Sequence, residues 1–117
     1  MDAHLDERRG AVRAPVKLSV DHILSEKEHC LCETEDLGLD GLRVSGPGGV
    51  GWGAPRHVWL EFALPDGDAS PIRALGELRF EGATGDGRLL RGYRFKYMNP
   101  KARRRYASFV LGAAAQA

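Results

Sequence analysis

The sequence predicts an all-β fold, a six-stranded antiparallel β-barrel followed by a C-terminal α-helix. Several short segments alternate apolar and polar residues with the two-residue period of half-buried strands. Turn-forming residues separate these segments, and the 15 glycines of the chain favour many turns over a helical bundle. The period becomes helical only after Asn99. Closing the strands into a barrel would remove exposed sheet edges.

The six predicted strands follow from their alternation. In the first, Val16, Leu18 and Val20 share one face, and in the second Cys30 and Cys32 do so. The strands are expected at residues 16–21, 28–35, 42–45, 58–64, 72–81 and 93–97. A glycine-rich loop at 46–55 interrupts the series, and its Trp52 is a candidate contact for a partner protein.

The helix is predicted to begin with Asn99 as N-cap and Pro100 at the first helical position. Tyr106, Phe109 and Val110 then recur at helical spacing and would pack on the sheet. The expected organisation is a flexible N-terminal arm, a barrel with its helix, and a short tail, at residues 1–13, 14–112 and 113–117.

Composition limits the function of the chain. Its 117 residues are enough for one modest core. A net charge of +1 is weak for a general grip on a nucleic acid polymer, so any anion site must be a local arrangement of basic residues. The first nine residues contain no apolar run, and no segment approaches the ~18 apolar residues of a membrane helix. We therefore expect a cytoplasmic protein that is not inserted in a membrane.

One candidate site is the arginine cluster of the arm, which contains Arg8, Arg9 and Arg13. The guanidinium group of arginine pairs with phosphate through two parallel hydrogen bonds and also stacks on aromatic planes. Two arginines four residues apart in a non-helical segment can hold a compact anionic ligand from two sides. Taken alone, the cluster is better interpreted as a solvated basic tail.

The turn-rich segment at residues 36–41 is the other candidate. The carboxylate of Asp36 could accept two hydrogen bonds from a guanine edge. Gly38 and Gly41 would let the backbone approach a ligand closely. Taken alone, this segment is better interpreted as an ordinary turn between strands.

Together, these two motifs resemble those of PilZ domains. Residues 7–13 resemble the R-x-x-x-R arm of the family, with Arg9 and Arg13 at the arginine positions. Residues 36–41 resemble its D/N-x-S-x-x-G motif, and the similarity extends over roughly residues 7–112. The resemblance implies a six-stranded PilZ-like barrel that binds the bacterial second messenger cyclic di-GMP on its outer surface.

The resemblance also implies roles for individual residues. Arg9 and Arg13 would hold phosphates and guanine faces, Asp36 would read a guanine edge, and Gly41 would allow close backbone approach. Arg8, directly before the motif, is similar to the arginine of domains that take an intercalated pair of ligand molecules. Such a receptor needs no enzyme cofactor and would signal to a downstream protein when its arm changes conformation.

Gly38 stands where the family has serine. Losing one hydroxyl hydrogen bond costs about 1 kcal/mol, or roughly five- to tenfold in affinity. PilZ-like domains that bind no nucleotide also exist. The alternative hypothesis is therefore a degenerate PilZ-like protein-interaction module.

Other chemistry has little support in the sequence. Cys30 and Cys32 are too close in sequence for a favourable disulfide and lack the four-ligand spacing of a zinc site, so we expect free thiols and no metal. No serine has a nucleophile motif, and no phosphate-binding P-loop is present. We therefore expect a binding protein and not an enzyme.

Overall fold

The computed structural model describes residues 12–47 and 56–116. The predictions for Arg8, Arg9 and Trp52 fall outside these residues. The described chain forms seven strands and one helix: β1 Arg13–Ala14, β2 Ser19–Ile23, β3 His29–Gly38, β4 Gly41–Gly46, β5 His57–Phe62, β6 Ile72–Ala83, β7 Leu89–Met98 and α1 Pro100–Gln116.

The strands close into a barrel. Every pairing is antiparallel, the order is β1-β3-β2-β5-β6-β7-β4, and a further pairing joins β4 back to β3 and closes the ring. Strands β2 to β7 are therefore the predicted six-stranded barrel, and β1 is an additional short strand beside the end of β3. The fold class expected from the sequence is confirmed.

The apolar side chains that alternate along the strands fill the interior of the barrel. Inward side chains such as Val20, Leu60 and Ile72 are fully buried, while their neighbours in sequence face outwards. Helix α1 covers one end of the barrel with Tyr106 and Val110. The ring centroid of Tyr106 lies 5.2 Å from that of Phe95, in an edge-to-face arrangement.

The start of α1 matches the sequence prediction. The backbone N–H of Lys101 donates to the side-chain oxygen of Asn99 at 2.9 Å, which makes Asn99 the N-cap, and Pro100 is the first helical residue. The helix continues to Gln116, beyond the boundary at 112 expected from the sequence. Because the last turns are rich in alanine, the best helix former, helix continues through them.

Two boundaries near the motifs differ from the sequence predictions. The first long strand begins at Ser19 and not at Val16, because the N–H of Leu18 and the backbone oxygen of Val16 both bond the side chain of Thr34 and not a neighbouring backbone. Residues 13–14 form a separate short strand against the end of β3. Only Leu39 and Asp40 lie outside the strands in the segment predicted as a turn at 36–41. The chain pairs on both sides of this short connection, so β3 extends to Gly38 and β4 begins at Gly41.

In the described ranges, no helix is both long enough and apolar enough to span a membrane. The same residues contain no cluster of three or more His, Cys, Asp or Glu side chains that could hold a metal ion. Cys30 and Cys32 are free thiols with their sulfur atoms 3.9 Å apart.

Candidate functional site

Asp36 is the centre of an ion-pair cluster near the end of β3. Its carboxylate accepts hydrogen bonds from Nε of Arg43 at 2.7 Å and from Nη2 of the same residue. Arg13 of β1 approaches the other carboxylate oxygen at 3.4 Å. Asp36 is only 6% exposed, whereas both arginine side chains remain over 40% exposed. A buried carboxylate thus positions two partly exposed guanidinium groups.

Strand pairing explains this cluster. Asp36 pairs with Arg43 across β3 and β4, and Arg13 pairs with Gly38 across β1 and β3. The register between β3 and β4 shifts at Glu35, so the side chain of Asp36 meets that of Arg43 on the outer face. The hydrogen bonds to Asp36 raise the pKa of Arg43, which keeps its guanidinium charged.

The two glycines of the motif leave space for different neighbours. A Cβ atom at Gly41 would collide with the backbone oxygen of Tyr93 on β7, so the close approach of β4 and β7 requires glycine there. A Cβ atom at Gly38 would lie 2.7 Å from Nη1 of Arg13, a flexible side-chain end. Gly41 therefore serves the barrel, while Gly38 makes room for a guanidinium group of the site.

Tyr106 anchors the connection between these glycines. Its buried hydroxyl donates to the backbone oxygen of Gly38 at 2.8 Å and lies 3.4 Å from that of Gly41. Burial raises the pKa of Tyr106, so the hydroxyl keeps its proton at neutral pH. Helix α1 thereby holds the connection between β3 and β4 in place.

A groove of about 260 Å³ opens between this connection and strands β6 and β7. Four arginines from four strands line it: Arg13, Arg43, Arg79 and Arg94. Asp40 is the acidic residue of the lining, and Phe80 contributes an aromatic ring. The lining is cationic, although the chain as a whole is nearly neutral.

Strands β6 and β7 supply the far wall of the groove. Arg94 pairs with Gly41 on one side and with Glu77 on the other. Glu77 also accepts a hydrogen bond from Arg79 at 3.1 Å, and this bond is the main reason that its pKa lies below the ordinary value. The carboxylate thus orients Arg79, while the side chain of Arg79 stays about half exposed.

The structure brings together the predicted residues that it describes. Arg13, Gly38 and Gly41 line one groove, and Asp36 lies directly behind it, bonded to Arg13 and Arg43. Sequence reasoning missed four residues: Arg43, Arg79, Phe80 and Arg94. The alternation of β4 and β7 places Arg43 and Arg94 on the outer face, but only the cross-strand register shows that they meet at one site.

This arrangement suits an anionic ligand with a planar part. Guanidinium groups from separate strands can contact different phosphate oxygens at the same time. The partly exposed ring of Phe80 offers an apolar flat surface beside them.

Comparison with known structures supports the fold. The chain is similar to the structure of the Bacillus subtilis inhibitor of motility, MotI/DgrA, with a TM-score of 0.78 and 12% sequence identity. The match covers 90% of this chain and 50% of that protein, so this chain corresponds to about half its length. The six-stranded antiparallel barrel with a C-terminal helix is thereby confirmed as an architecture. No protein-family model matches the sequence, and no curated protein matches it.

Proposed function

We propose that this protein is a cyclic di-GMP receptor that acts as an adaptor for a downstream protein. The observation that carries the proposal is the groove in which four arginines from different strands face the Asp36–Gly41 segment. Cyclic di-GMP combines two phosphates with two guanine bases, and the groove offers guanidinium groups for the phosphates and planar surfaces for the bases.

The arginines predicted from the sequence keep their proposed roles. Arg13 holds a phosphate or a guanine face, together with Arg9 of the arm, whereas the glycine at position 41 is required by the close approach of β4 and β7. Arg8 favours a pair of intercalated ligand molecules over a single one. Arg43, Arg79 and Arg94 add further cationic groups from the barrel itself.

Asp36 has a more demanding role than the sequence alone indicates. The residue is only 6% exposed and its carboxylate is already hydrogen bonded to Arg43 and Arg13, so a guanine edge reaches it most directly by taking the place of one of these partners. The 3.4 Å contact with Arg13 is the longer of the two. We therefore expect Arg13 to leave Asp36 and turn to the ligand, while Arg43 remains bound to the carboxylate.

Titration calorimetry with cyclic di-GMP tests the proposal. We expect micromolar or tighter binding by the wild-type chain, and weaker binding by about tenfold or more in the Arg13→Ala variant, because a charge-assisted hydrogen bond contributes about 1.5–3 kcal/mol. Arg73→Ala is a matched control, since Arg73 is exposed and does not line the groove. Absence of heat in the wild type, or equal affinity of wild type and Arg13→Ala, would contradict the proposal.

Stoichiometry and the arm complete this experiment. A stoichiometry of two ligand molecules per chain in the wild type, and a lower stoichiometry in Arg8→Ala, would support the intercalated pair. Ligand-dependent protection of residues 1–13 from proteolysis would support ordering of the arm, the step that creates a new surface for a partner protein.

Gly38 motivates the second candidate, a protein-interaction module that binds no nucleotide. The Gly38→Ser variant separates the two candidates. The added Cβ must displace the guanidinium of Arg13 by a small movement, while the hydroxyl supplies a new hydrogen bond for a ligand. Clear binding by Gly38→Ser but not by the wild type favours the interaction module, and a pull-down insensitive to cyclic di-GMP would support it further.

A further inference from the structure

Phe80 is a large apolar side chain that the barrel leaves 43% exposed. It lies on the outer face of β6 and lines the arginine groove. A single exposed apolar side chain is ordinary on a protein surface, but this one lies in a groove that four arginines also line.

The missing side chain of Gly92 leaves space for the Phe80 ring against the barrel. The two residues are paired across β6 and β7, and a Cβ atom at Gly92 would lie 2.6 Å from Cδ1 and 2.9 Å from Cζ of the ring. The ring therefore lies over the bare backbone of β7, where only glycine leaves room for it. Part of the ring remains exposed to solvent.

Strand register directs this ring towards the arginines. Asp36, Arg43, Gly92 and Phe80 form one continuous cross-strand row over β3, β4, β7 and β6. A bulge in β6 between Leu78 and Phe80 leaves Arg79 without a partner residue in the ladder, and Arg79 also lines the groove. Along the row, Gly92 separates Phe80 from Arg43, and Arg79 precedes Phe80 in sequence. Both arginines line the same groove as the ring.

A ligand that carried phosphate alone would gain nothing from this ring. A nucleobase has an apolar face that can stack on an aromatic side chain, and such stacking contributes to affinity for any base. We infer that Phe80 is the stacking platform of the groove, so the site takes an anion that carries a planar nucleobase next to its phosphate. The inference rests on the proposed function and assigns one base of the ligand to the wall formed by β6 and β7.

Titration calorimetry of Phe80→Leu with cyclic di-GMP tests the inference. Leucine keeps an apolar side chain over β7 but removes the ring, so we expect affinity to fall about tenfold. Phe80→Tyr keeps the ring and should stay within about threefold of the wild type. Tyr97→Leu is the control, because Tyr97 is an exposed aromatic residue of β7 outside the groove.

A spectroscopic experiment gives a second readout that does not depend on the leucine variant folding well. Phe80→Trp adds an indole at the proposed platform, and stacking of guanine should quench the added fluorescence on titration with cyclic di-GMP. Unchanged affinity in Phe80→Leu together with unquenched fluorescence in Phe80→Trp overturns the inference and leaves the proposed function standing. If the wild type binds no cyclic di-GMP, both are overturned.

Discussion

At the scale of single residues, the two motif glycines perform separate tasks. Gly41 lies where strands β4 and β7 approach each other, and backbone atoms surround the site of a missing Cβ. Gly38 faces the movable end of one side chain, Arg13. Equal substitutions at the two positions should therefore have unequal effects on stability.

We expect Gly41→Ala to lower the free energy of unfolding by about 1–3 kcal/mol, because the added methyl group forces β4 away from the backbone of β7. Urea unfolding followed by circular dichroism measures this loss. The matched control is Gly38→Ala, which only displaces the guanidinium group of Arg13 and should change stability little. Equal losses in the two variants would show that the strand contact at Gly41 is not the cause.

At the scale of secondary structure, the sequence predicts the strands and the helix better than it predicts how the strands pair. Alternation identified six strands, and the Asn99–Pro100 pair identified the start of α1, because both signals are local. The extension of β3 to Gly38 was missed because it depends on pairing with the two-residue strand β1, which is too short to show alternation, and on the return of β4 after only two residues.

The same reasoning explains which site residues could be predicted. Arg13, Asp36 and Gly41 belong to sequence motifs with a recognisable spacing. Arg79 reaches the groove because of a bulge in β6, and no local pattern marks where a bulge occurs. Simple alternation from Ile72 would place Phe80 on the inner face of β6. The bulge before Phe80 and the bare backbone at its partner Gly92 explain why it lies on the outer face instead.

A side chain of α1 fastens the loop that follows β5 to the helix. Arg105 of α1 bonds both carboxylate oxygens of Asp66, at 2.7 and 2.9 Å, and also the backbone oxygens of Asp68 and Ser70. The hydrogen bonds from Arg105 to the carboxylate of Asp66 lower the pKa of Asp66 to about 2. One guanidinium group thus holds the connection between β5 and β6 against the helix.

We expect Arg105→Gln to loosen this connection, since glutamine cannot replace the guanidinium fork that bonds three residues at once. Hydrogen exchange measured by mass spectrometry should become faster over residues 66–71, where the amides of Asp68 and Ser70 are bonded within the loop. Arg104→Gln is the control, because Arg104 is the exposed neighbour on the same helix. Equal exchange in both variants would show that the clamp does not order the loop.

At the scale of the whole molecule, the barrel interior contains ionisable groups. His22 is fully buried, its ring lies 5.3 Å from that of Tyr93, and Arg91 is buried in the same part of the barrel. Burial lowers the pKa of His22 to about 4, and the nearby charge of Arg91 acts in the same direction. Burial also raises the pKa of Tyr93 to about 12, so both rings are neutral in the folded protein at neutral pH.

The pKa of His22 differs between the folded and the unfolded chain, and this difference makes the stability of the protein depend on pH. Between pH 6.5 and 4 the unfolded chain binds a proton at His22 that the folded chain does not, so the free energy of unfolding should fall as the pH is lowered through this range. A shift of this size corresponds to at most about 3 kcal/mol. Urea unfolding at pH 7, 5.5 and 4 measures it.

The His22→Asn variant tests whether His22 causes this pH dependence. Asparagine does not titrate, so the free energy of unfolding of the variant should change less with pH over this range. His57→Gln is the control, because the exposed His57 is on the outer face of the barrel. An unchanged slope in His22→Asn would mean that other groups cause the acid sensitivity. Asp66 acts in a lower range, since its pKa is about 2.

The pairing of Phe80 with Gly92 has an evolutionary consequence. The ring occupies the space that any side chain at position 92 would need, so neither position can change freely while the other stays as it is. Homologous barrels that carry a larger residue opposite this point of β6 should therefore have lost the aromatic ring, and those that keep the ring should keep glycine. Covariation between these two positions would record, across species, which members of the lineage retain a flat surface in the groove.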